Sequence, residues 1–183
     1  MGHTDTSIKA AAQMALLVDY FVELRASSPN GGRRSPTRSI ENTAPLNVDT
    51  LSHIRASVRE IKEYVDVESP GTVEPLPKDD AAVYDWCVRN TDWDDEALTR
   101  RRDALMYRQY LEHTILTGDA KIVRRHRCPG CGTLSLHWRR SAGSAVCRNR
   151  NCRTPDGLAS TWTLAHLATA YITDQESRQR RAT

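Results

Sequence analysis

Apolar positions recur at helical spacing over roughly the first two thirds of this 183-residue chain, then alternate at strand spacing. Ala10, Met14, Leu17, Phe21 and Leu24 step by four and three along one face, which predicts a helix over residues 5–25 capped by Asp5 or Thr6. Val48, Leu51, Ile54, Val58, Ile61 and Val65 repeat the pattern more regularly, with Asn47 placed to cap a second helix. A narrow apolar stripe cannot be buried alone, so these helices must pack together. The stretch DDAAVYDWCVRN predicts a short third helix. A fourth follows, with Thr91 or Asp92 as cap, acids in its first turn, Leu98, Leu105, Leu111 and Ile115 on its apolar side, and Gly118 as its stop.

Beyond Lys121 the period shortens. KIVRRHR alternates as a strand, and TLSLHWRR places Leu134, Leu136 and Trp138 on one face with Ser135, His137 and Arg139 on the other. SAGSA supplies a turn, and AVC returns the chain as a second strand. After the turn TPDG, residues 160–172 read as a final helix, with the basic tail SRQRRAT fraying. Residues 26–46, dense in Pro, Gly, Ser and Asn, predict a flexible loop, and Pro70, Gly71, Pro75 and Pro77 make residues 66–78 a linker. The expected organisation is a helical region over 1–118 with about four helices, then a small β module and one helix over 119–183. The fold class is mainly α with a small β element (α+β).

Composition limits what such a chain can be. At 39% apolar and 27% charged residues it is polar but globular, and its length suits one ordinary domain or two small ones rather than a large enzyme. No run of 18 apolar residues and no leader pattern appear, so the expectation is a soluble, cytoplasmic protein with no membrane partner. Charge is segregated. Between Glu63 and Glu96 eleven acids face only Lys78 and Arg89, whereas Lys121 to Arg153 carry nine basic residues and no carboxylate. That asymmetry implies an anionic partner for the basic stretch, or docking of the two regions on each other. Arginine outnumbers lysine 22 to 4, which reads first as the bias of a GC-rich genome.

Four of the five cysteines fall within 25 residues. Cys128 and Cys131 have two residues between them, fifteen follow, and Cys147 and Cys152 enclose four more. In a reducing compartment such clusters serve metal or catalysis rather than disulfides. Two pairs on tight turns joined by a hairpin suit a tetrahedral ion such as Zn2+, with Gly130 and Gly132 freeing the backbone to curl. Nearby amides and arginines offset the charge of four thiolates. With four thiolates and no adjacent acid, such a site is closed and structural rather than catalytic.

Across residues 121–153 this pattern resembles the zinc ribbon, a small metal-bound β-hairpin module, whose ligands carried over here are Cys128, Cys131, Cys147 and Cys152. The second pair is wider than is usual in that family, which implies a looser turn. His126 and His137 are alternative ligands. With Cys128 to Gly132, Cys147, Cys152 and TWTLAHLA as the matching residues, the whole chain is also similar to small zinc-ribbon proteins of actinobacterial phages and their hosts' mobile elements. That resemblance implies no particular activity.

Other candidates have simpler readings. Cys87 could act as a nucleophile with His113 or His53 as base, but a lone cysteine on an apolar helix face is ordinary core. The acids of DWDDE could bind a divalent ion, yet acids at a helix start already complement its dipole. Trp138 could stack on a base, although alternation places it with Leu134 and Leu136. Too little chain follows Ile172 for a helix-turn-helix. The reading is therefore a non-enzymatic protein whose ribbon presents Arg124, Arg125, Arg127, Arg139, Arg140, Arg148, Arg150 and Arg153 to the phosphate backbone of DNA or RNA. The competing reading is a protein-interaction adaptor of transcription or replication machinery.

Overall fold

The computed structural model describes residues 48–71, 74–80, 82–91 and 95–182. The helix expected over 5–25, the loop 26–46 and the cap Asn47 lie outside them. Helix α1 (Val48–Glu68) buries Ile54, Ile61 and Val65, so the heptad-like stripe is its inward face. Helix α2 (Ala82–Asn90) buries Val83, Tyr84, Trp86 and Cys87 in a single two-turn patch. These meet helix α3 (Glu96–Leu116) at Met106, and together they enclose the first apolar core.

Helix α3 starts one turn later than the sequence suggests. Asp95 is its N-cap, accepting from the amides of Ala97 and Leu98 at 2.7 and 3.2 Å. Thr91 is instead fully buried at the end of α2, where its carbonyl accepts a 2.8 Å bond from Arg102. Helix α3 has no clean apolar stripe because both of its sides are covered. Its buried polar groups are consequently paired. Gln109 accepts from the Tyr84 hydroxyl of α2 at 2.9 Å and donates to the Ser57 carbonyl and the Glu60 carboxylate of α1 at 3.2 and 2.9 Å. One side chain thereby pins three helices.

On its other side α3 meets the C-terminal third. Residues 120–125 form a 3-10 helix rather than a strand, with Asp119 accepting from the Lys121 amide at 3.1 Å. Adjacent residues of a strand point to opposite faces, whereas Ile122 and Val123 must both be buried here. An antiparallel sheet follows in the order β1 (Leu136–Arg139), β2 (Ser144–Cys147) and β3 (Thr161–Trp162). The hairpin turns through Arg140–Ala142 and Gly143, whose φ of 55° is left-handed. His137 pairs with Val146 and Trp138 with Ala145, so Leu136, Trp138, Ala145 and Cys147 share the inner face. Leu134 does not join them. It is 61% exposed, because the strand begins only at Leu136.

Helix α4 (Leu164–Ala182) starts four residues later than expected, after β3, and runs to the end of the tail. Thr163 precedes its first turn and accepts from the His166 amide at 3.2 Å. The tail does not fray because α3 holds it. Tyr107 stacks on Tyr171 with ring centroids 4.4 Å apart, Arg100 binds the buried Glu176 at 2.7 Å, and Arg180 pairs with Glu96. The second apolar core combines Ile122, Val123, Leu136, Ala145, Leu164 and Leu167 of the C-terminal third with Leu111 of α3.

Candidate metal centre

The four clustered cysteines converge on one point beside this second core, their sulfurs all within 4.8 Å of one another. The first turn is closed by bonds from the Gly132 amide to the Cys128 carbonyl at 2.8 Å and from the Cys128 amide to the Thr133 carbonyl at 2.9 Å. Gly132 has a φ of 69°, which requires glycine. Gly130 is needed for a different reason from the one its sequence suggests. A Cβ there would lie 3.1 Å from the Trp162 ring and 3.4 Å from the Cys152 sulfur.

The wider second turn closes as tightly as the first. Asn149 supplies both closing acceptors, its side chain taking the Asn151 amide at 3.1 Å and its carbonyl the Cys152 amide at 3.0 Å. The two turns interlock through the pairs Cys128 to Cys152 and Cys131 to Cys147, each with sulfurs 3.7 Å apart. Four sulfurs placed about 2.3 Å from one ion at tetrahedral corners are about 3.8 Å apart. A disulfide needs sulfurs about 2.05 Å apart, so these are free thiols. The donor set therefore fits a tetrahedral metal ion.

Three hydroxyls that sequence reasoning passed over border the sulfurs. Thr133 Oγ1 lies 3.1 Å from Cys131 Sγ, Ser135 Oγ 3.0 Å from Cys147 Sγ, and Ser160 Oγ 3.3 Å from Cys152 Sγ. Thr133 and Ser135 also bond each other at 2.7 Å and Ser160 donates to the Cys152 carbonyl at 3.3 Å, so the three hydroxyls brace the sulfurs, and one that donates to a thiolate spreads negative charge away from the ligand. The Thr133 hydroxyl and amide hold the Cys131 thiol down, at about 6, while burial pushes Cys128 up to about 12. A hydroxyl two residues after Cys131 was the available signal.

Neither histidine joins the cluster. His126 is buried, with Nδ1 3.1 Å from the Ile122 carbonyl and Nε2 2.8 Å from the Tyr107 hydroxyl, and burial lowers its pKa. His137 stands on the outer face of β1. No protein-family model, curated protein or solved structure matches this chain significantly. The similarity to proteins of phages and mobile elements accordingly gains no support.

All eight arginines singled out from the sequence are exposed. None of them pairs with a carboxylate among the described residues, and the described acids of residues 63–96 form their ion pairs elsewhere, as in Glu68 with Arg101 and Glu74 with Arg89. Arg139, Arg148 and Arg153 gather with His137 and Asn149 around a groove on the outer sheet face. Arg125 and Arg127 line a second groove, between the first cysteine turn and α4. Arg124 and Arg125 end the 3-10 helix that leads into the first cysteine turn. Arg140 occupies the hairpin turn, and Arg150 lies within the second cysteine turn.

Cys87 is packed in the first core with its thiol pushed up to about 11 by burial, and Thr91 is its polar neighbour at 4.0 Å. Of DWDDE, Asp92 and Asp94 lie outside the described residues, while Asp95 is occupied as a helix cap. Trp138 and Trp162 are half-buried against the second core. Among the described residues no helix is long and apolar enough to cross a membrane.

Proposed function

We propose that this is a non-enzymatic zinc-ribbon protein that contacts the phosphate backbone of nucleic acid through the arginines of its ribbon. Four thiolates at tetrahedral spacing favour zinc, with Cys128, Cys131, Cys147 and Cys152 as ligands. The ion's role is to fold the ribbon, since binding and folding of so small a module are one process. A thiolate site of this kind suits the reducing cytoplasm. The observation that carries the nucleic-acid reading is the set of eight exposed ribbon arginines with no described carboxylate paired to them. Guanidinium groups free of acids fork onto phosphate oxygens.

The test is fluorescence anisotropy of zinc-loaded protein with mixed-sequence labelled DNA and RNA at two salt concentrations. Binding should weaken by about 0.9 log units per phosphate contact for each tenfold rise in salt on duplex DNA. Absence of binding at low salt would sink the reading. It would then favour an adaptor of transcription or replication machinery, which the groove beside exposed Leu134 supports.

A further inference from the structure

The eight arginines do not form one patch. Their division between two sides of the ribbon narrows what the protein can hold. On the outer sheet face, His137 and Arg139 of the first strand lie opposite Val146 and Ser144 of the second, with Thr161 of β3 beside Val146. The bond from the Arg148 amide to the Ser135 carbonyl, 2.9 Å, carries this ladder one residue beyond β2. Arg139 pairs with Ser144, four residues from Arg148. At about 3.3 Å per residue, the two arginines stand about 13 Å apart along the strands. Arg153 anchors the lower edge by donating to the Arg150 and Gly157 carbonyls at 3.1 and 3.2 Å.

The face is as informative in its lack of aromatic residues. Proteins that grip single strands stack bases on exposed aromatic rings. Here Trp138 lies on the inner face of the sheet, and both it and Trp162 pack against the core. No Trp, Tyr or Phe lines the arginine groove. A surface rich in charge whose one ring is His137 favours phosphates over stacked bases. With Cα positions about 13 Å apart, the long side chains of Arg139 and Arg148 can reach phosphates on both sides of the B-form major groove, about 12 Å wide. The corresponding groove of an A-form RNA duplex is narrow.

We infer that the outer sheet face, with His137, Arg139, Arg148 and Arg153, is a docking surface for the backbone of duplex DNA, and that Arg125, which lines the other groove, lies outside it. This rests on the nucleic-acid reading above. Arg139 and Arg148 suit a test because no hydrogen bond or ion pair of the described structure uses their side chains, whereas Arg153 braces the turn.

The experiment compares zinc-loaded wild type, R139A/R148A and R125A against duplex DNA, single-stranded DNA and duplex RNA of equal length. Zinc content and circular dichroism of each variant establish that it is folded. Duplex DNA should bind at least about tenfold more tightly than the other two. R139A/R148A should lower the salt slope on duplex DNA by about two, with R125A unchanged. Equal or tighter binding of single-stranded DNA or duplex RNA would overturn the duplex assignment while leaving the broader reading intact. A loss from R125A as large as that from R139A/R148A would overturn the assignment to this face. Failure to bind any of the three would remove both readings together.

Discussion

The helical layer and the ribbon each enclose a small apolar core, but they close it differently. The first core is walled by three helices and pinned by Gln109, whose polar atoms all find partners within it. The second is closed by α3 and α4 on one side but by only short strands and a 3-10 turn on the other, and three of its buried members are the cysteines 128, 147 and 152 themselves. Secondary structure can wall a core when helices are long enough to offer continuous faces. Where elements are four residues or shorter, cross-links must replace them, and a metal ion joining four points of the chain is such a cross-link. The ribbon also borrows Leu111 and the Tyr107 ring from α3, so the two cores share one helix.

Chelating the metal is the most severe way to break this comparison. Hydrogen exchange followed after chelation should show the amides of residues 128–162 losing protection first, with α1 and α2 protected longest. Uniform loss across the chain would mean that the shared helix makes the two cores a single cooperative unit. Replacing Gln109 with Ala attacks the other core. It strands the Tyr84 hydroxyl and the Ser57 carbonyl, a cost of about 2–5 kcal/mol in urea unfolding. Zinc stoichiometry should be unaffected. A change below about 0.5 kcal/mol would show that water takes over the stranded groups.

A smaller effect separates the cores by pH. His113 is buried at the end of α3, and burial followed by the nearby His53 holds its pKa at about 4 rather than 6.5. The unfolded chain takes up this proton near 6.5 and the folded chain only near 4, so unfolding binds a proton between those values. Stability contributed by the neutral ring is present above 6.5 and is lost as pH falls towards 4. The loss should be about 1 kcal/mol between pH 7.5 and 5.5. His113→Leu should flatten that part of the wild-type dependence in thermal melts. A variant with an unchanged pH slope would assign the acid sensitivity to the cysteine site instead.

Much of the helical layer was legible because its signals are local. The stripe from Ile54 to Val65 and the short apolar run of α2 both fall where their spacing placed them. Helix α3 was legible in extent but not in content, since a helix covered on both sides has no single apolar face to betray which residues are inside. Its buried Arg102, Gln109 and His113 depend on partners 11 to 52 residues away in sequence or more loosely on neighbours across the core. The errors in the C-terminal third share a cause. Period alone assigns Ile122 with Val123 and Thr161 with Trp162, but packing on the second core and pairing with β2 set their conformations, while Leu134 falls just before the strand begins.

The sequence alone determined that four cysteines come in two pairs on turns, that helices precede a hairpin, and that the ribbon is basic without a single acid. These are properties of composition and short-range geometry, which a chain carries before it folds. Only the tertiary structure decided that the pairs interlock at tetrahedral spacing, that Gly130 is dictated by Trp162, and that Arg139, Arg148 and Arg153 line one groove while Arg125 and Arg127 line another. Those outcomes depend on which distant atoms arrive beside a residue, and packing sets that arrival rather than spacing along the chain.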